Sequence, residues 1–144
     1  MNIDSHWPQT NQGIPAGYTT IVVPNAGGMV GHSLYGSGTC VALAKAFGAP
    51  QTSLWSPGSA PDANTPVGTL VATFYANDGT TFANQSGFSH VGALLSVDDS
   101  GITLLDQYRS SSVTSLLSSN YYYGATRNYN ANASNYYIVL VPSP

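Results

Sequence analysis

The sequence predicts an α+β domain in which one helix precedes a mainly antiparallel sheet, and three observations carry that expectation. Leu43, Ala44 and Phe47 follow Cys40 at helical spacing. From residue 67 onward the apolar runs are short, rich in β-branched residues and separated by Gly, Asp, Asn and Pro. No repeat, heptad or low-complexity linker divides the 144 residues, so residues 1–144 read as a single domain, long enough to bury a core without staples.

Taken in order, residues 1–18 are broken by Pro8, Gly13, Pro15 and Gly17 and read as an extended arm packing through Trp7, Ile14 and Tyr18. Thr19–Val23 is a β-branched run ended by Pro24, the pattern of an edge strand. Asn25–Gly38 is glycine-rich and delivers the backbone to the helix; it lacks the Gly-Lys-Ser/Thr ending of a phosphate loop, and His32 within it reads as a turn or surface residue. The helix starts at Cys40, with Ser37 and Thr39 able to cap it and Gly48 and Pro50 to stop it.

Beyond the helix, Trp55 reads as core, because Trp carries a very large apolar area, and Ser56–Gly68 as the longest loop. Val67–Tyr75 predicts a strand ending at the turn Asn77-Asp78-Gly79. Ser89–Val97 and Ile102–Tyr108 flank Asp98-Asp99-Ser100-Gly101 and predict a β-hairpin. Arg109–Asn135 is rich in Ser, Asn and Tyr, lacks either period over most of its length, and reads as an irregular excursion. Tyr136–Val141 predicts the last strand.

Only 6% of residues are charged, where roughly 25% is usual; there is no Glu, and the formal net charge is −3. Lys45, Arg109 and Arg127 are scattered and form no basic stripe, which excludes a nucleic-acid or anionic-membrane partner. No apolar run approaches a membrane span, and the N-terminus lacks a basic segment followed by an apolar one, so no secretory signal is expected. One cysteine excludes an internal disulfide, and His6, His32 and His90 lack metal-ligand spacing, so neither a metal nor a cofactor is expected.

The lone cysteine is placed to be reactive. A first-turn Cys40 lies at free helix amides and the positive end of the helix dipole, which favour the nucleophilic thiolate. A nucleophile needs a base, and the base a third group to orient it. His90 opens the first hairpin strand, on the face of Gly92 and Leu94. If Val97 pairs with Ile102, Arg109 lies opposite His90 and Gln107 opposite Gly92; a shift of one residue substitutes Tyr108 and Asp106. Both Asp106 and Gln107 can orient an imidazole, and the carboxylate is favoured because it also stabilises the imidazolium.

Three blocks now carry a resemblance. Gly38-Thr39-Cys40-Val41-Ala42-Leu43-Ala44-Lys45, Ser89-His90-Val91-Gly92-Ala93-Leu94 and Ile102-Thr103-Leu104-Leu105-Asp106-Gln107-Tyr108 resemble, in order, the nucleophile, base and third-residue blocks of papain-like cysteine hydrolases of the NlpC and CHAP type. The Trp55 loop and the Asp-Gln-Tyr block are more narrowly similar to a bacterial group sharing features with type VI secretion amidase effectors. The chain departs in Thr39, where Gln or Glu is common, and in the segment after Arg109.

The resemblance implies a papain-like fold with the nucleophile helix packed on a small antiparallel sheet, and Cys40, His90 and Asp106 as the catalytic residues. Gln107 and Tyr35 would line the substrate site. The implied function is an amidase or endopeptidase acting on peptidoglycan stem peptides. It would act as a monomer, exported by a secretion system or released by a phage, with an inhibitory immunity protein as a further partner. A non-catalytic wall- or glycan-binding module, and a deamidase or protease toxin using the same triad on proteins, are the other readings.

Overall fold

In the computed structural model the described residues are 14–36, 39–74, 82, 90–107, 117–123 and 135–143. Trp7, Ser37, the Asn77-Asp78-Gly79 turn, Tyr108, Arg109 and most of the segment to residue 134 lie outside them. The strands are β1 (Tyr18–Thr19), β2 (Ser56–Pro57), β3 (Leu70–Thr73), β4 (Val91–Val97), β5 (Gly101–Asp106), β6 (Ser118–Tyr123) and β7 (Tyr136–Pro142), and one helix, α1, spans Cys40–Ala46. The strands form one antiparallel sheet in the order β1-β7-β3-β4-β5-β6, with β2 also paired to β7. This is the α+β arrangement of one helix and an antiparallel sheet.

Alternation along the strands divides the core in two. Val41, Leu43 and Ala44 of α1 pack with Leu70, Ala72, Val91, Ala93, Leu105 and Val139. Val71, Leu94, Ile102, Leu104, Tyr136 and Ile138 form the second cluster, against which Ile14 and Tyr122 rest. Trp55 is 3% exposed, donates its indole N–H to the Pro50 carbonyl at 3.0 Å and packs on Phe82 with ring centroids 4.8 Å apart, the core role expected of it.

Helix α1 is stopped at its C-terminal end by backbone geometry. Gly48 adopts φ +103, and its N–H reaches the Lys45 carbonyl while the Ala49 N–H reaches that of Ala44, the paired bonds of a Schellman stop. Thr39 occupies the N-cap position with extended backbone but makes no side-chain capping bond. The start is held from outside the helix instead, by Gln107.

Three expectations change. The edge strand begins earlier and is shorter, at Tyr18–Thr19, with only an isolated Val22–Thr69 bridge beyond it, and Tyr18 is 39% exposed rather than packed. The segment after Arg109 is not irregular throughout, because β6 runs through Ser118–Tyr123 and pairs along all of β5. The hairpin forms with Val97 opposite Ile102, but the register shifts between Leu94 and Ser96, so Leu94 faces Leu104 and Ala93 faces Leu105. The single extra residue, Leu95, changes which side chain of the 106/107 pair meets His90.

Candidate active site

Continued past Ala93 and Leu105, the shifted register puts Asp106 opposite Gly92, on the face His90 shares. Without the bulge Gln107 would occupy that position. The His90 Nε2 and Asp106 Oδ2 atoms are 2.8 Å apart. Gly92 stands opposite Asp106, and a Cβ there would come within 3.0–3.1 Å of the Leu105 carbonyl and the Leu104 side chain, so a larger residue would have to push the two strands apart by a few tenths of an ångström.

Gln107 points the other way, toward α1. It is 1% exposed, and its amide is fully engaged by the backbone before Cys40. Its Oε1 accepts the Tyr35 N–H at 2.8 Å, and its Nε2 donates to the Tyr35 carbonyl at 2.9 Å and the Thr39 carbonyl at 2.7 Å. The structure therefore places Gln107 in the support of the helix start, with no surface turned to a ligand, in contrast to the substrate-lining place expected for it. Tyr35 is half-buried between His32, stacked at 5.0 Å, and Phe47, edge-on at 5.3 Å. His32 is exposed and bonds only the neighbouring Ser33 carbonyl through its ring.

Cys40 is half-buried at the first position of α1, where its thiol lies under the influence of the His90 imidazole. Because Nε2 of His90 is directed at Asp106, Nδ1 is the ring nitrogen left for the sulfur. Burial alone would push the Cys40 thiol up. The hydrogen bond and charge of His90, with the Val91 and Val41 amides, outweigh it and hold the thiol below its ordinary range. Burial likewise disfavours a charged His90, but bonds to Asp106 and Cys40 push the imidazole up to about 10. Both shifts act in the same direction, favouring the thiolate and the imidazolium of the pair.

Two residues of the site went unrecognised in the sequence, both on β6. Asn120 Nδ2 donates to Asp106 Oδ1 at 2.7 Å, and the Tyr122 hydroxyl donates to Asp106 Oδ2 while lying 3.4 Å from His90 Nε2. Burial and the neighbouring Asp106 charge push the Tyr122 phenol well above its usual range, so it remains a donor. The ring of Tyr122 packs on Tyr136, with centroids 5.3 Å apart. The signal available for β6 was the Tyr121-Tyr122-Tyr123 run itself, since consecutive aromatics favour strands. Among the described residues no group of three or more His, Cys, Asp or Glu side chains is placed to hold a metal ion.

A half-buried thiol sharing its proton with an oriented imidazole is equipped to attack an electrophilic carbonyl carbon. The comparisons agree with that chemistry. A family model described as domesticated amidase effector 2 matches residues 14–139. Among solved structures the chain is similar to one titled type 6 secretion amidase effector 2, at a TM-score of 0.73 and 28% identity, over 85% of this chain and 95% of that one. No curated protein matches the sequence.

Proposed function

The chain belongs to the domesticated amidase effector 2 family, and on that premise we propose that it is a cysteine amidase cleaving an amide bond in the peptide stems of peptidoglycan. The observation that carries the reading is the meeting of Cys40 and His90, with Asp106 at 2.8 Å on the far ring nitrogen. We read the fold as papain-like, with the nucleophile at a helix start and its base and acid on a hairpin; the NlpC and CHAP likeness belongs to this reading.

In the proposed reaction the Cys40 thiolate attacks the amide carbonyl carbon and the carbonyl electrons move to oxygen. As the first residue of α1, Cys40 has a backbone N–H with no acceptor inside the helix. That N–H is the proposed oxyanion donor, a contribution of about 3 kcal/mol where one such donor has been removed elsewhere. The tetrahedral intermediate collapses as His90 gives its Nδ1 proton to the departing amine, leaving a thioester. Water, deprotonated by His90, hydrolyses the thioester and restores the pair. Asp106 holds the ring so that Nδ1 faces sulfur throughout, and Gln107 positions Cys40 by bonding the backbone at Tyr35 and at Thr39.

The similar structure's title supports delivery by a secretion system as part of this reading, with an immunity protein covering the Cys40 cleft as the partner such delivery would call for. The test is digestion of purified cell wall, with folded protein substrates run in parallel. Release of new amine and carboxyl ends from the wall by the wild type, and none by Cys40→Ala, is the expected result. Cleavage or deamidation of protein alone would move the reading to the protein-directed toxin. An inert wild type that still binds wall would move it to a binding module.

A further inference from the structure

Asp106 is 3% exposed, and its carboxylate is shared among three donors, one just before β4 and two on β6: His90 Nε2 and the Tyr122 hydroxyl on Oδ2, and Asn120 Nδ2 on Oδ1. A carboxylate that only had to orient the ring would need one of them. The other two share the carboxylate with the His90 proton, because every donor on those two oxygens draws on the same negative charge. The reaction sets opposing demands on His90: it must hold a proton firmly enough to leave sulfur ionised, then release it to a poor leaving group. General acid catalysis is efficient when the acid is not much weaker than the task requires.

We propose that Tyr122 and Asn120 are positioning residues that temper the Asp106–His90 pair, so that His90 charges the thiol and still protonates the departing amine. The inference rests on the proposed cysteine amidase reading. The groups facing the imidazole are Cys40 from α1, Asp106 from β5 and Tyr122 from β6, with Tyr136 of β7 behind Tyr122, while Thr73 of β3 accepts the His90 backbone N–H at 3.0 Å. Removing the Tyr122 hydroxyl takes one donor from the carboxylate and leaves His90 its sole partner on Oδ2. The proton is then held more tightly by the pair, which helps a step that needs imidazolium and hinders one that consumes it.

The measurement compares two substrates of one stem peptide: its natural amide, which needs a protonated leaving group, and its p-nitrophenyl ester, which does not. Tyr122→Phe keeps the ring on Tyr136, so the fold has little to lose. Amide hydrolysis should fall about tenfold further than ester hydrolysis, a share of the roughly 10²–10⁴ that general acid–base catalysis contributes. The alkaline limb of the pH–rate profile should move upward. Asn120→Ala, which removes the donor on the other oxygen, should act in the same direction. Parallel losses on both substrates, no loss on either, or an alkaline limb that moves downward would overturn the inference while leaving the amidase reading intact. Failure of that reading shows separately, as amide hydrolysis by Cys40→Ala.

Discussion

At the scale of residues, the chemistry depends on one proton and where it is held. Cys40→Ala should abolish hydrolysis and cost little stability, since a half-buried side chain at a helix start leaves almost no cavity; mass-spectrometric assay of wall fragments and a thermal melt check both. The Cys40 pKa is lowered and the His90 pKa raised to about 10, so the thiolate–imidazolium pair exists between the two. Activity should rise with pH through the lowered thiol value and fall as pH passes about 10, when the ring loses its proton. For stability the sign is the one for a raised imidazole: His90 contributes fully below its unfolded value, about 6.5, and the contribution is lost as pH rises through about 10. Iodoacetamide should label Cys40 at pH 7 faster than an ordinary thiol, whose pKa is about 8.5. Asp106→Asn should preserve the hydrogen bond while removing the charge and the tautomer control, and a loss of up to about 10⁴-fold has a precedent in a serine triad. A nearly silent Asp106→Asn would remove Asp106 from the mechanism.

At the scale of elements, small backbone features decide which of these residues meet. Gln107→Ala should take the side-chain partner from the Tyr35 N–H and carbonyl and one of the two donors from the Thr39 carbonyl, which the Ala42 N–H also reaches, at about 1 kcal/mol for each hydrogen bond lost, and the displaced helix start should lower kcat more than it raises KM. At Gly101 a Cβ would lie 2.0 Å from the Tyr122 carbonyl. Gly101→Ala should therefore push β6 away from β5, withdraw Tyr122 and Asn120 from Asp106, and lower activity in a fold that retains its helix signal by circular dichroism. The same two places mark what was legible in the sequence. Helix, hairpin and last strand follow from period and turn residues within the chain, and so does Cys40 at a helix start. The choice between Asp106 and Gln107 rests on Leu95, an apolar residue within an apolar run whose composition does not announce a bulge. Strand β6 escapes a reading by periodicity because Ser118–Tyr123 has no alternation; it pairs with β5 through backbone bonds that any side chain permits, and its aromatic run is the one signal in favour.

At the scale of the whole molecule, surface and redox chemistry bear on where the protein works. Few charges, no Glu and many Ser, Asn and Tyr give a polar surface that neither steers toward nor repels a polyanion, and among the described residues no helix is long and apolar enough to cross a membrane. A single cysteine leaves no internal disulfide to form or lose, so the fold does not depend on the redox state of its compartment. That makes compartment a clean variable for the last prediction. If the stem-peptide amides of the assembled wall are the substrate, the wild type should be harmless when expressed in a bacterial cytoplasm and lytic when directed to the periplasm, because the assembled wall lies outside the inner membrane. A disulfide-bonded toxin would behave the same way for an unrelated reason, having folded only where oxidised, but a chain with one cysteine folds equally in both places. Cys40→Ala separates lysis by hydrolysis from lysis by export stress, and should be tolerated in either compartment. Killing from the cytoplasm by the wild type and not by Cys40→Ala would mean that the same thiol acts on a protein amide, and the peptidoglycan assignment would fall.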